Sequence, residues 1–297
     1  MTDIQTESAK TRQAGKTVGG GKLKVIWLAA ITAAFAALYA PTFSYMWERW
    51  EKDTQYSLAY LVPFVSGYFI WKQWKTAKDT KRDASRWGLA LIVMAMLTHF
   101  AGTLLDVAVL SAGSIIACLV GCCLYLRGRS FTRIMWFPLA YTAFMVPLPE
   151  GITDMVGFPM QLWASASTAH LLGALGIEVV RNGVNMSVPG FDFEVAAACS
   201  GMSSLVALVG VSAVFAYITD LPAKFRWILF GLSLPIALAA NVVRITTIAL
   251  VGYWVGGDAA INIYHDWSSP ILFVVAILLL FAISRGFEWL NARRTTH

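Results

Sequence analysis

Long apolar stretches, separated by short polar and mostly basic segments, dominate the chain from about residue 25 to residue 290. A helix needs about 20 apolar residues to cross the hydrocarbon core of a bilayer. Segments of that kind fall at 25–46, 58–74, 87–105, 107–126, 134–149, 200–219, 227–254 and 268–290. A further stretch, 154–176, carries Asp154 as its only charge, but Gln161, His170 and several glycines, prolines and hydroxyl residues dilute it. The pattern predicts an all-α polytopic membrane protein with about eight transmembrane helices.

Composition strengthens that picture and charge orients it. The 297 residues are 58% hydrophobic and 13% charged, against about a quarter charged in an ordinary soluble domain. Twelve tryptophans and ten tyrosines suit two interfacial belts. With eight spans and both ends inside, the inner segments hold 19 of the 23 basic residues, and the outer ones hold only Arg49, Lys52 and Arg181. A ninth span at 154–176 would move Lys224, Arg226, Arg285, Arg293 and Arg294 outside, against the positive-inside rule. That stretch therefore reads as a helix lying on or dipping into the outer interface.

The net charge of +6 is thus a signal of topology and gives no reason to invoke nucleic acid. Residues 1–23 read as a polar cytoplasmic tail without fixed structure, residues 24–290 as one integral-membrane domain, and 291–297 as a second cytoplasmic tail. The first span follows a long polar lead and lacks a small-x-small cleavage site, which reads as an uncleaved anchor. No repeat, zinc spacing or glycine-rich phosphate loop appears, so neither a metal nor a cofactor is expected.

One outer segment, 150–199, is long. Asn182-Gly183 between "EVVR" and "VNMSV" signals a two-residue hairpin. Phe191, Phe193 and Val195 alternate with Asp192 and Glu194 as a third strand would. A small β-hairpin element, beside the interfacial helix on the outer face, would deliver the chain to "CSGMSS" at 199–204.

Cys199 then opens the sixth span. A thiol at a helix N-terminus feels unpaired N–H groups and the positive end of the dipole, which favour the thiolate. Ser200 offers a cap, and Gly201 lets another chain come close. Cys118, Cys122 and Cys123 lie within "IIACLVGCCLYL" and read as apolar packers; Cys199 taken alone allows the same reading. Arg244 lies seventeen residues past Trp227, about 25 Å up the seventh span. An arginine there is either functional or snorkelling to the outer headgroups. Asn241, three residues earlier, shares its face. His265 stands with Asp266 in the outer loop "NIYHDWSSP", where a solvated histidine is the ordinary alternative. Nucleophile, cation and acid/base together suit acyl transfer. His99 and His170 compete for the acid/base role.

"EVAAACSGMSSL", "PIALAANVVRI" and the histidine of "NIYHDW" resemble the three signature stretches of the exosortase/archaeosortase family. "FMVPLPEG", "GIEVVRNGVNMSVPG" and "YSLAYLVPFVSGYFIW" resemble its supporting context. The resemblance implies a cysteine transpeptidase or protease of the bacterial inner membrane, working at the outer face. Its partners would be the lipid bilayer and protein substrates bearing a C-terminal sorting tail of the Pro-Glu-Pro kind, followed by a transmembrane helix and a basic cluster. Such systems go with extracellular polysaccharide. On this chain Cys199 would be the nucleophile, Arg244 the oxyanion or thiolate partner and His265 the acid/base. Many relatives have His-Gly where this chain has Leu58-Ala59. The rival readings are a transporter, a serine protease using Ser200, Ser203 or Ser204, and an assembly subunit for polysaccharide export with no covalent chemistry. Oligomeric state has no signature here.

Overall fold

The computed structural model describes residues 3–195, 201–260 and 265–295. Contacts divide the chain into a unit ending at Trp47 and a second one from Glu48 onward. The first unit is most of a single helix, α1 (Asp3–Lys52). Its helical conformation begins at Asp3 and so takes in nearly all of the tail that composition reads as unstructured. Phe35 and Tyr39, four residues apart on it, hold their ring centroids 4.7 Å apart.

The second unit is helical except for one small sheet. Beyond a 3-10 helix at Thr54–Tyr60 come α2 (Val62–Lys78), α3 (Arg86–Leu104), α4 (Ala108–Leu126), α5 (Arg129–Ile134) and α6 (Trp136–Tyr141). After a 3-10 turn at Thr142–Met145, α7 (Glu150–Ala174) leads to strands β1 (Val180–Asn182), β2 (Asn185–Val188) and β3 (Phe191–Glu194). The chain closes with α8 (Met202–Ile218), α9 (Ala223–Trp254), the single turn α10 (Gly257–Ala259) and α11 (His265–Thr295).

Among the described residues five helical segments are long and apolar enough to cross a membrane: Ala29–Lys52, Arg86–Leu104, Ala108–Leu126, Ala223–Trp254 and Trp267–Arg293. They coincide with five of the eight stretches picked out by hydropathy. The sixth stretch is the shorter apolar helix Met202–Ile218, and the second is α2, with 17 residues. The fifth, 134–149, departs from expectation. It is broken into the end of α5, α6 and the 3-10 turn, and prolines cause much of this. Pro138 sits in the first turn of α6, where its missing N–H leaves no bond unmade. Pro147 and Pro149 bracket the exit, and α7 restarts after Pro149.

α9 is the central post. Its 32 residues span roughly 48 Å. At its N-terminal end gather the segments rich in basic residues. Arg127 lies over the rings of Trp74 and Phe131, 5.7 and 5.3 Å from their centroids. Ala77, Phe131, Met135 and Leu139 form one core cluster there, and Phe137 stacks on Tyr217 of α8 at 3.8 Å. The sheet packs at the other end of α9, about 33 Å along it from Arg226 to Ile248 at 1.5 Å per residue. That separation is close to the thickness of a hydrocarbon core.

The sheet is antiparallel in the order β1-β2-β3. Met186 pairs with Phe193 and Val188 with Phe191, so these four side chains share one face. That face joins Leu172 and Ile177 with Val242, Ile245, Ile248 and Ala249 of α9 in one core cluster. Phe191 lies against Gly252, where an added Cβ would come within 2.1 Å of the ring. The opposite face is polar, and Ser187 donates a hydrogen bond to Asp192 there.

The hairpin forms one residue later than the Asn-Gly signal predicts. Asn182 pairs with Asn185, leaving Gly183 and Val184 as the loop, with φ +65° at Gly183. A positive φ at the first loop residue alone is the II′ pattern, which asks for glycine there. The shift is held by hydrogen bonds beyond the strand ladder. The Gly183 carbonyl accepts from Ser165 of α7 at 3.0 Å and from Arg181 at 3.0 Å, and the Val184 carbonyl accepts from the Val195 N–H at 3.0 Å.

Candidate active site

Arg244 is buried, with 6% of its surface exposed. A guanidinium at that depth is not snorkelling to the headgroups. Its Nε–H points to Ser268 Oγ at 3.4 Å, and Ser268 is itself 1% exposed. Ser268 lies on α11, three residues after His265, and positions three apart share a helix face. Sequence reading missed Ser268. Its spacing from His265 within "HDWSS" was the available signal.

Asn241, one turn before Arg244, is equally buried. It packs against Gly201, the N-cap of α8, where an added Cβ would lie 2.7 Å from the Asn241 Cγ. Gly201 has φ +80° and ψ 5°, a left-handed conformation that glycine adopts without strain. The close approach expected at Gly201 is therefore made by the neighbour of Arg244. Asn241, Arg244, Ser204 and Ser269 line one crevice with Leu208 and Phe273. It has room for about one water molecule.

Cys199 and Ser200 lie outside the described residues. The chain on either side of them is well anchored. Val195 is 1% exposed and belongs to the core cluster of Val242 and Ile245. Gly201 abuts Asn241. Val195 thus belongs to the core under the sheet, and Gly201 rests on the turn of α9 that carries Asn241. α8 begins at Met202 with Gly201 as its N-cap, and the expected place of Cys199 at the start of this helix lies outside the described residues.

His265 differs from its expected setting. It is the first residue of α11, not part of a loop, and Asp266 follows it in the helix. The rival histidines are placed elsewhere. His99 is buried between α3 and α4 with its Nδ1 2.7 Å from Ser111 Oγ. His170 is exposed on α7. Thr168, two residues earlier and buried, faces Thr246 of α9 at 3.4 Å; two residues turn a helix by about 200°, so His170 sits on the far side of α7 from α9.

The supporting stretches meet as well. The Leu148 N–H donates to the Tyr56 hydroxyl at 3.0 Å, and Trp50 Nε1 donates to the Met145 carbonyl at 2.9 Å. Leu58 is buried against Gly210 of α8. Cys118 is buried, with Cys122 and Cys123 partly so, within α4. Among the described residues no cluster of three His, Cys, Asp or Glu side chains is arranged to hold a metal.

A family model described as transmembrane exosortase matches residues 47–282, a range that takes in Cys199, Asn241, Arg244, His265 and Ser268. Comparisons with curated proteins and with solved structures gave no match.

The contact between Gly201 and Asn241 is testable by itself. Gly201→Ala meets both the left-handed backbone and the Asn241 side chain, and it is expected to cost about 1–3 kcal/mol. Thermal unfolding in detergent should show a clearly lowered midpoint. Gly173→Ala, whose new Cβ meets nothing within 4 Å, should leave the midpoint in place. Equal midpoints for Gly201→Ala and the wild type would remove this contact from the site.

Proposed function

Because the chain belongs to the transmembrane exosortase family, we propose that this multi-pass membrane protein is a cysteine transpeptidase or protease that processes proteins with a C-terminal sorting tail. The observation that carries the proposal is the buried Arg244, flanked by Asn241 against Gly201 and by Ser268 on the helix that His265 begins. The two peptide units from Cys199 to Gly201 reach no further than about 7 Å. The short chain lengths from Cys199 to Gly201 and from His265 to Ser268 support a common site at Arg244. We assign the roles accordingly, with Cys199 as nucleophile, Arg244 as its charge partner and His265 as acid/base. Asn241 and Ser268 hold Arg244, Ser200 and Gly201 shape the approach to the thiol, and Asp266 adds negative charge next to His265.

The chemistry runs in two halves. His265 takes the thiol proton, and the sulfur attacks the scissile carbonyl carbon. The resulting oxyanion is stabilised by the Arg244 guanidinium in a site of low dielectric. The intermediate collapses as the C–N bond breaks, and His265 passes its proton to the departing amine. A thioester to Cys199 remains. Attack by water then regenerates the thiol with net hydrolysis, and attack by an amine transfers the acyl group. The substrate carries its own transmembrane helix, so it reaches the site by lateral diffusion. The motif that is cleaved, of the Pro-Glu-Pro kind, docks beside the sheet.

Sidedness follows from charge. The end of α9 near Arg226 collects the basic segments, so the positive-inside rule puts it in the cytoplasm and the sheet and site on the periplasmic side of the inner membrane. Cysteines introduced at Ser57, Asn185 and Asp258 should react with an impermeant thiol reagent in intact cells, and those at Thr76 and Ala223 should not. Labelling at Ala223 would invert the arrangement and put the site on the wrong face.

The roles predict distinct kinetic losses. Cys199→Ala should abolish substrate processing with folded protein still in the membrane, and alanine at Cys118, Cys122 or Cys123 should not. An oxyanion contact is worth about 10²–10³ in rate, so Arg244→Ala should retain almost no turnover, while Arg244→Lys keeps a detectable fraction through its charge. His265→Ala should remove a titration near neutral pH from the rate profile, and His99→Ala and His170→Ala should leave it. Normal processing by His265→Ala, with either control inactive, would reassign the acid/base.

A further inference from the structure

A second cavity lies at the opposite end of α9 from Arg244. It is lined by Phe137, Tyr141, Ala213, Tyr217, Arg226 and Phe230, among others, and encloses about 370 Å³. Such a volume falls within the usual range for small-ligand pockets. Nearly all of its lining is aromatic or alanine, and the exception is Arg226. The Arg226 Nε–H donates to the Leu221 carbonyl at 2.6 Å, which fixes the guanidinium at the turn between α8 and α9. No carboxylate pairs with its terminal nitrogens among the described residues. Trp136 and Trp227, both largely exposed, stand at the rim, and tryptophans favour the level of the lipid headgroups. From Arg226 the cavity runs inward along α9 to Phe230, about 6 Å deeper.

We propose that this cavity binds an anionic phospholipid of the adjacent leaflet, with its phosphate on Arg226 and an acyl chain between α6, α8 and α9. An apolar slot alone would accept any hydrocarbon. The cation at its interfacial end selects for a negative headgroup, as basic pockets between membrane helices do. The same charge argues against the substrate's membrane helix as occupant. A sorting tail ends in a basic cluster, which Arg226 and the exposed Lys224 would repel. The site is separate from the chemistry around Arg244, and its existence does not depend on the catalytic proposal.

The test uses the full chain, purified in mild detergent and freed of lipid. Binding of dioleoyl phosphatidylglycerol and of dioleoyl phosphatidylcholine is counted by native mass spectrometry. The wild type should retain the anionic lipid about fivefold over the zwitterionic one, as expected for one basic contact near the surface. Arg226→Gln should level the two, Arg226→Lys should keep the preference, and Ala216→Phe, which fills the slot with Arg226 in place, should reduce binding of both. Equal retention of the two lipids by the wild type, or an unchanged preference in Arg226→Gln, would overturn the proposal. Displacement of the lipid by millimolar inorganic phosphate would reduce the site to a headgroup contact without a slot. Displacement by a synthetic sorting-tail helix would assign the cavity to substrate. Should Arg226→Gln fail to fold, Arg226→Lys and Ala216→Phe decide the matter between them.

Discussion

A guanidinium buried in the half of α9 remote from the basic end governs much of the packing around it. Even lenient insertion scales charge about 2.5–3.5 kcal/mol for an arginine at mid-membrane, and burial among protein groups is tolerable only when polar partners meet it. Ser268 reaches Arg244 from α11, and Asn241 lies one turn away on the same helix. Close approach by the neighbours then demands small residues. Gly201 admits Asn241, and Gly252 admits the ring of Phe191. Replacing Gly201 would push α8 away from the turn that carries Asn241, and replacing Gly252, about two turns further along α9 than Arg244, would push away the sheet.

The small sheet depends on the same helix. Its strands are only three or four residues long, and packing against a helix is one of the supports so small a sheet can use. Met186, Val188, Phe191 and Val195 gain their burial only from α9 and its neighbours. In return the sheet fixes where the chain leaves Val195, six residues before Gly201. What supports the proposed roles of Cys199 and His265 is their nearness along the chain to Gly201 and Ser268, which lie against Asn241 and Arg244.

Much of this was legible in the sequence because hydropathy and charge are additive along a helix. The five long apolar helices, the three strands and the shared face of Asn241 and Arg244 follow from period and length alone. Local signals proved weaker where tertiary contacts compete. The Asn182-Gly183 turn slipped by one residue because Ser165 and Arg181 hold the Gly183 carbonyl. The stretch 134–149 has the hydropathy of a span, yet its prolines break it. His265 read as a loop residue because "NIYHDWSSP" lacks an apolar period, and the helix there runs straight through Pro270. Ser268 carried only its three-residue spacing from His265 as a signal, and its meaning comes from Arg244 on another helix.

The central claim is that Arg244 supports a reactive thiol at Cys199. The most direct measurement is the rate of Cys199 alkylation by a small neutral reagent as a function of pH, with alanine at Cys118, Cys122 and Cys123. A buried cation beside the sulfur favours the thiolate. The half-maximal rate should therefore fall below the ordinary thiol value of about 8.5, and Arg244→Gln should move it upward. A profile centred at the ordinary value, and the same in Arg244→Gln, would contradict the partnership between this arginine and this cysteine.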